Sequence, residues 1–451
     1  MKKTALKAKR ALSLILCVLM LLLSSVTLVS CFDEPTPEPQ DPPLTKEELI
    51  AATETATDKN YNYVASYLSL WGLPEFDAAK FREIEADVFY YYVEDREDPF
   101  TAAKKTVINY VESYYDITDP TDKTEVTDSL IHSYVYSLGD DYAIYRTADE
   151  YEEYQTDMSG TFVGIGVTIE YNRKEGTMLV ISIIDDSPAA KAGFKPGDYI
   201  IGVDGKTVEE LGYDGTVNSI RGEIGTNVTV RVLRGTDELD LVATRAKITE
   251  QTVTYEMIED GIAYVRITQF KANTAAQFGE AMSFITKNNA QGVIFDLRSN
   301  PGGYLQSVLD VIECLVGENK RMASYIYAGY ETVFTSSKPD KLDIPCVVLC
   351  NEYTASAGEL FTAAVRDFTK NGDLVAKIVG TQTFGKGIMQ STYSYKDNSS
   401  LTMTVAYYYP PSNVNYHGEG IEPNRIVPIT ETDTEDVQLI AALEEIKLLI
   451  H

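Results

Sequence analysis

Two apolar runs, each followed at once by small residues and then by a helical pattern, constrain the fold of this chain most strongly. The first run, residues 293–297, leads into a turn that contains Gly302 and Gly303. The second run, residues 345–350, leads into a turn of small residues around Ser356. Short apolar runs that alternate with helical patterns are typical of a parallel sheet covered by helices. From about residue 249 onward the sequence therefore predicts an α/β domain, over residues 249–430, followed by a C-terminal helix that extends to residue 451.

The amino terminus has the pattern of an export signal. A basic segment precedes the apolar residues 11–28, and Leu28-Val29-Ser30-Cys31 resembles the bacterial lipobox, in which cleavage precedes a Cys that receives lipid. A membrane-spanning anchor is the alternative, because the apolar run is near the length that crosses a bilayer. Residues 31–44 are rich in Pro, Asp and Glu, which predicts an extended tether. We expect a signal peptide over residues 1–30, lipidation at Cys31, and attachment to the extracytoplasmic face of a bacterial membrane.

The composition of the chain excludes several classes of function. Lys and Arg number 39 against 68 Asp and Glu, a formal net charge of -29. Such an acidic body argues against nucleic acid and against docking on anionic lipid. Only three histidines occur, which are His132, His417 and His451. A site that needs two or three imidazoles is therefore nearly excluded. We expect no metal and no cofactor, and the three cysteines that remain after the signal and the lipidated Cys31 indicate no disulfide framework.

The middle of the chain has the pattern of a small β-module. Residues 45–150 are predicted to be helical, and glycine-punctuated short strands follow from about residue 160. Ser187-Pro188 opens a short helix that Gly193 ends, and residues 196–205 continue as turn, strand and hairpin. Residues 160–245 closely resemble a PDZ domain of the kind attached to bacterial proteases.

The PDZ resemblance implies a peptide-binding role. An extended peptide, often a free carboxyl terminus, would pair with the strand after the loop, and backbone N–H groups of the loop would receive the carboxylate. The loop residues are Gly164, Ile165, Gly166 and Val167. The alternative is that these glycines make only a tight turn and that the module is a spacer.

Two further residues complete a candidate catalytic set with Ser356. A nucleophile needs a sharp turn, small neighbours and a helix amino terminus, and Ser356 has all three, although a Ser there is more commonly a plain helix cap. Lys386 lies between Gly385 and Gly387 after an apolar strand, a setting that favours a desolvated amine over a solvated charge. Gln390 is predicted to share a strand face with Lys386, where its amide can orient the amine.

Taken in order, these motifs resemble the carboxy-terminal processing proteases, PDZ-containing serine peptidases that use a Ser–Lys pair. The resemblance rests on Asn300-Pro301-Gly302-Gly303, on Ser356 among small residues, and on Phe384-Gly385-Lys386-Gly387, and it covers about residues 125–430. It implies a helical amino-terminal region, a PDZ domain and an α/β spiral peptidase domain of the ClpP/crotonase type.

The same resemblance implies a role for each site residue. Ser356 would be the nucleophile, Lys386 the general base and Gln390 its orienting residue. The backbone N–H groups of Gly302 and Ala357 would form the oxyanion hole. Substrates would be proteins or peptides with free carboxyl termini, and the helical region makes a homodimer plausible.

Two other readings of the sequence stay open. The first is a catalytically inactive PDZ scaffold or holdase, against which the joint presence of Ser356, Lys386 and Gln390 counts. The second is a Ser–His–Asp hydrolase, but none of the three histidines has a supporting motif.

Overall fold

The computed structural model describes residues 76–92, 123–172, 176–259, 261–327, 330–339, 341–430 and 432–451. The predicted signal peptide, the tether with Cys31 and much of the predicted helical region 45–150 lie outside these residues. No helix in these described ranges is long and apolar enough to cross a bilayer.

The amino-terminal region is mostly helical where the structure describes it, and the exception to the predicted helical region 45–150 is a short strand, residues 144–146, that pairs with residues 400–402. Its elements are α1 Ala78–Tyr91, α2 Lys123–Tyr136, β1 Ile144–Arg146 and α3 Ala148–Met158. Asp77 caps α1, because its carboxylate accepts the N–H groups of Ala79 and Lys80 at 3.0 and 3.1 Å.

The PDZ-like module contains a six-stranded antiparallel sheet, a separate two-stranded sheet of its first and last strands, and two helices. Its elements are β2 Thr161–Gly164, β3 Val167–Asn172, β4 Thr177–Ile183, α4 Pro188–Ala192, β5 Tyr199–Val203, β6 Lys206–Thr207, α5 Val208–Ile220, β7 Asn227–Arg234, β8 Asp237–Thr244 and β9 Ala246–Thr249. The sheet order is β3-β4-β5-β7-β8, with β6 paired to β5. The predicted short helix is confirmed: Ser187 caps α4, and Gly193 ends it with φ 86°. Strand β3 lies at the edge of the sheet.

The carboxy-terminal half contains the remaining elements. They are β10 Val253–Glu259, β11 Ile262–Ile267, α6 Thr274–Lys287, β12 Gly292–Asp296, α7 Leu305–Glu313, β13 Arg321–Tyr327, β14 Tyr330–Thr335, β15 Cys346–Cys350, α8 Ala357–Lys370, β16 Ala376–Gly380, β17 Ile388–Ser394, β18 Ser400–Tyr409, β19 Arg425–Ile426 and α9 Val437–Ile450.

The main sheet of this half confirms the α/β prediction. Its order is β10-β11-β12-β15-β16-β19, and every pair from β11 onward is parallel. All residues of β12 and β15 are buried, as expected for strands covered on both faces. Phe295 and Val348 pack with Phe361 of α8 on one face, whereas Ile294 packs with Ile446 of α9 on the other.

A second sheet joins the amino-terminal region to the carboxy-terminal half. Strand β18 pairs with β1 and β13 along one edge and with β17 along the other. Leu401 and Met403 of β18 pack against Ile84 of α1 and Leu130 of α2. Strand β1 precedes the PDZ-like module and β18 follows it, so the module is inserted between two parts of one packed body.

Candidate active site

The two predicted turns meet at the carboxyl ends of neighbouring strands. Strands β12 and β15 are parallel partners, and the turns that follow them emerge at the same edge of the sheet. The Ala355 N–H donates to the Asn300 carbonyl at 2.9 Å, which fixes one turn on the other. A Cβ at Gly302 would lie 2.8 Å from the Ser356 Cβ, so only glycine permits this approach. The Ser356 turn therefore packs directly on the glycine turn.

Ser356 has a strained backbone. It is the N-cap residue of α8, with φ 53° and ψ -116°, outside the regions that non-glycine residues ordinarily occupy. Such strain costs about 1–3 kcal/mol and persists only where the surroundings hold it. The side chain is half-buried and lines a cleft of about 800 Å³. The position at a helix amino terminus favours negative charge that develops next to it.

A buried carboxylate, Glu359, supplies much of what holds the strained turn. Its Oε2 accepts the N–H groups of Ser356 at 3.0 Å and Lys386 at 2.7 Å. Its Oε1 accepts the Thr383 hydroxyl at 2.6 Å and the Gly385 N–H at 2.7 Å. Burial raises the pKa of Glu359, and these hydrogen bonds oppose that rise. One side chain thus ties the Ser356 turn to the Lys386 loop, a role that sequence reasoning missed.

Lys386 lines the same cleft and is mostly buried. Its Nζ lies 4.0 Å from the centroid of the Tyr142 ring, and no carboxylate of the described residues is within salt-bridge distance. Burial lowers the pKa of Lys386 to about 8, against the opposing charges of Asp140 and Glu359. The Lys386 carbonyl accepts the Tyr408 hydroxyl at 2.6 Å. The amine can therefore be neutral in a part of the molecules near neutral pH.

Gln390 also lines the cleft, but its surroundings differ from the expected ones. Lys386 precedes β17 by two residues, and a β-bulge falls between Met389 and Gln390. The residue that this irregularity leaves unpaired is Val405 of β18, because Met389 pairs with Ala406 and Gln390 with Thr404, and Lys386 and Gln390 line the same cleft. The Gln390 Nε2 donates to the Thr404 hydroxyl at 3.2 Å, and no hydrogen bond to Lys386 is present in the described residues.

The two predicted oxyanion-hole donors also differ from each other. The Gly302 N–H donates to Asn300 Oδ1 at 2.8 Å, so it already has an acceptor. Asn300 is fully buried and is itself held by the Ile267 carbonyl at 2.9 Å. In contrast, the N–H groups of Ala357 and Gly303 have no acceptor within the described part of the chain.

A pair of buried tyrosines closes the cleft behind Ser356. The Tyr416 hydroxyl is 2.9 Å from that of Tyr408 and 3.4 Å from the Ser356 carbonyl. Burial raises the pKa of both tyrosines far above the ordinary value, so both stay protonated. These residues were also missed, because nothing near them in the sequence marks them.

The other predicted residues lie apart from this cleft. Ile165 is buried in the core of the PDZ-like module, and Gly166, with φ 85°, precedes edge strand β3. The cleft lining that the structure describes contains no histidine. His417 packs instead on Tyr407, 5.9 Å between ring centroids, so the geometry gives no support to a Ser–His–Asp arrangement. The described residues contain no cluster suited to a metal ion.

Comparison with known proteins gives the same two modules. The family model described as Peptidase family S41 matches residues 261–427, and the PDZ domain model matches residues 162–244. A "Probable CtpA-like serine protease" of Staphylococcus haemolyticus is 35% identical over 304 residues, 66% of this chain and 60% of that protein. The "Carboxy-terminal processing protease CtpA" of Bacillus subtilis is 34% identical over 305 residues, 67% of this chain and 64% of that protein.

A third relative is matched over more of its length. The "Probable CtpA-like serine protease" of Staphylococcus aureus strain COL is 30% identical over 346 residues, 75% of this chain and 68% of that protein. The chain spans less than two thirds of the length of the first two relatives and slightly more than two thirds of the length of the third. The two family models match the PDZ domain and the peptidase domain, and with this third relative they show that the chain belongs to peptidase family S41, among the PDZ-containing carboxy-terminal processing proteases that its motifs resemble.

Proposed function

We propose that this chain is a serine endopeptidase that uses Ser356 as nucleophile and Lys386 as general base. The observation that carries the proposal is the setting of Lys386, which is buried in the Ser356 cleft with a pKa lowered to about 8. A lysine that is a permanent cation cannot accept a proton, whereas this one can.

The reaction follows from these groups in two stages. The neutral Lys386 amine takes the Ser356 hydroxyl proton while the oxygen attacks the scissile carbonyl. The resulting ammonium returns the proton to the leaving amine as the peptide C–N bond breaks, which leaves an acyl-enzyme. Water, deprotonated by the same amine, then attacks the ester carbonyl, and Ser356 regains its proton as the product acid leaves.

The oxyanion formed in each stage needs donors that are already in place. The Ala357 N–H, in the first turn of α8, has no other acceptor and is supported by the helix dipole. Because the Gly302 N–H is bonded to Asn300, the free N–H of Gly303 is the better candidate for the second donor. Gln390 bonds Thr404 in this structure, so as an orienting residue it would have to turn toward Lys386.

Cleavage of casein by residues 45–451 tests the activity. We expect hydrolysis by the unmodified protein and none by Ser356→Ala. A protein that binds unfolded casein without cutting it, with or without Ser356, would instead be the scaffold or holdase. A His417→Ala variant serves as the control for histidine catalysis and should keep full activity.

The PDZ domain is proposed to recognise the substrate by strand addition. Strand β3 pairs only with β4 in the described sheet, so its other edge can accept an extended peptide beside the Gly164–Val167 loop. A side chain at Gly166 would clash with Ser187, 2.5 Å from the new Cβ. Gly166→Trp should reduce cleavage of protein tails far more than cleavage of a short peptide. Equal loss on both would indicate misfolding, and no loss would indicate a spacer.

Attachment to the membrane through Cys31 is a separate proposal, supported by the lipobox-like segment and by the Pro-rich stretch after it. Cys31→Ala should release the protein from the membrane or leave its precursor uncleaved, without loss of catalytic activity. A variant that is processed and retained like the unmodified protein would favour a spanning anchor.

A further inference from the structure

The catalytic cleft contains a permanent cation that the proposed mechanism does not use. Arg146 and Lys386 are the two basic side chains of the described cleft lining. Lys386 must lose its charge to act as a base, so Arg146 is the group there that stays positive at every relevant pH. Asp141 and Asp310 also line the cleft and make the rest of it unfavourable for an anion.

Arg146 has no carboxylate partner within the described residues, although the chain has 68 acidic residues against 39 basic ones. Several other arginines of the chain are paired, among them Arg231 with Asp240, Arg234 with Asp198, Arg298 with Asp296 and Arg425 with Glu444. An arginine that lines a cleft without such a partner has binding capacity left for a ligand.

The guanidinium of Arg146 is nevertheless held in place. Its Nη1 donates to the Thr402 hydroxyl at 2.8 Å, and its central carbon lies 4.1 Å from the centroid of the Tyr154 ring. These contacts use one of five N–H donors and one face of the plane. The remaining donors form the fork that binds a carboxylate through two parallel hydrogen bonds.

A row of polar side chains connects Arg146 with the catalytic residues. Thr402 shares a hydrogen bond with Thr392 of β17 at 2.9 Å, and Gln390 bonds Thr404 one step nearer to Lys386. Residues 386–392 span at most about 20 Å at roughly 3.3 Å per extended residue. An extended substrate of about four to six residues would therefore reach from Ser356 to Arg146.

We propose that Arg146 is the carboxylate-binding subsite of the catalytic cleft, and that it binds the carboxyl terminus of a substrate about four to six residues from the bond that is cut. This proposal rests on the proposed peptidase function. It differs from recognition by the PDZ domain, because Arg146 belongs to β1 and lines the same cleft as Ser356. It gives the cleft a preference for short carboxy-terminal segments.

Paired peptides test the subsite in the full chain. Two peptides of one sequence, cleavable five residues from the end, are prepared as the free acid and as the amide. For the unmodified protein we expect kcat/KM at least about tenfold higher for the acid. Arg146→Gln should bring the acid-to-amide ratio close to one, because it should lower kcat/KM for the acid and leave kcat/KM for the amide unchanged. Arg146→Lys should give an intermediate ratio, and Arg231→Gln, which removes an exposed arginine of the PDZ domain, should leave the ratio unchanged.

The possible outcomes separate the two proposals. Equal hydrolysis of acid and amide by the unmodified protein, or a ratio that persists in Arg146→Gln, overturns the subsite and leaves the peptidase function intact. Hydrolysis of neither peptide overturns both. A third peptide has Asp as its last residue and an amidated end. If its kcat/KM equals that of the free acid and falls in Arg146→Gln, the subsite binds an acidic side chain, and the assignment to the carboxyl terminus is wrong.

Discussion

Two lysines near the cleft are both largely buried, yet the pKa values of their amines are shifted in opposite directions. Lys271 is 3% exposed, and its Nζ contacts Asp157 at 2.8 Å and Glu250 at 2.7 Å. Lys386 has the ring of Tyr142 over its Nζ and no carboxylate within salt-bridge distance in the described residues. The pKa of Lys271 is raised by its two partners in spite of burial, whereas the pKa of Lys386 is lowered to about 8 by burial.

The comparison shows that burial alone does not produce a base. Burial disfavours the ammonium form of both side chains, and the presence or absence of a carboxylate decides the direction of the shift. Lys271 ties α3 and the end of β9 to the loop before α6, so its permanent charge has a structural use. Lys386 lacks such partners, so its charge is the more easily lost of the two.

The largest effect is expected when Lys386 is given a charge that it cannot lose. Lys386→Arg should reduce kcat/KM at least about 100-fold, and Lys386→Ala should do the same, because a general base contributes that much or more and guanidinium stays protonated. Peptide hydrolysis at pH 7–9 measures it. Lys377→Arg, on an exposed position of β16, is the matched control and should be fully active. Near-normal turnover by Lys386→Arg would disprove the Ser–Lys mechanism.

A second experiment makes the surroundings of Lys386 resemble those of Lys271. Gln390→Glu adds a carboxylate to the cleft, which favours the ammonium form and raises the pKa of Lys386 above about 8. The neutral fraction at pH 7 then falls, so the rate should drop about tenfold there and recover as the pH rises. The measurement is the pH dependence of kcat/KM.

The control for this charge is Gln382→Glu, which places the same group at an exposed position near the Lys386 loop. It should leave the pH profile unchanged. The same displacement in both variants would mean that the overall charge, and not the cleft carboxylate, sets the profile.

The two lysines should also contribute to stability with opposite signs. Lys271→Met leaves Asp157 and Glu250 without their partner and should lower the free energy of unfolding by about 1–2 kcal/mol, a value reduced because both carboxylates are partly exposed. Lys386→Met removes a buried amine and should raise the free energy of unfolding by about 1 kcal/mol at pH 7. Urea denaturation at pH 7 and pH 9.5 measures both.

The pH dependence of these effects follows from the pKa directions. The folded-state pKa of Lys386 lies below its unfolded value, so its penalty is full below pH 8 and declines as the pH rises toward about 10.4. The gain from Lys386→Met should therefore shrink at pH 9.5. The pKa of Lys271 is raised, so its contribution is full below about 10.4 and persists at pH 9.5. Two effects of equal sign would contradict the comparison.

Much of the site could be predicted from local sequence, because local sequence determines it. The apolar strand before Ser356, the small residues at the turn and the helix after it lie within about 25 residues, and the structure has each of them. The same holds for Ser187 and Gly193, whose roles at the ends of α4 depend on neighbouring backbone groups.

The groups that tune the site could not be predicted in this way. Tyr142 and Arg146 reach the cleft only because β1 pairs with β18, more than 250 residues later in the chain. Glu359 follows Ser356 by three residues, a spacing that indicates an ordinary capping box, and nothing local shows that it also binds the Lys386 loop. The hydrogen bond from Gln390 to Thr404 depends on the pairing of β17 with β18, so this partner of Gln390 was likewise hidden.

The smallest effect, and the finest test of the comparison, concerns the ring that covers Lys386. The Tyr142 ring acts in two opposing ways, because it excludes water, which favours the neutral amine, and its face attracts a cation, which favours the ammonium. Burial as a whole lowers the pKa of Lys386, and we expect the ring to act chiefly by contributing to that burial. Tyr142→Ala should admit water, raise the pKa of Lys386 and reduce the rate at pH 7 about threefold, with recovery at higher pH. Tyr142→Phe keeps the ring and should keep the profile. A displacement of the Tyr142→Ala profile to lower pH would show that the ring chiefly stabilises the cation, and that Lys386 is neutral in spite of Tyr142.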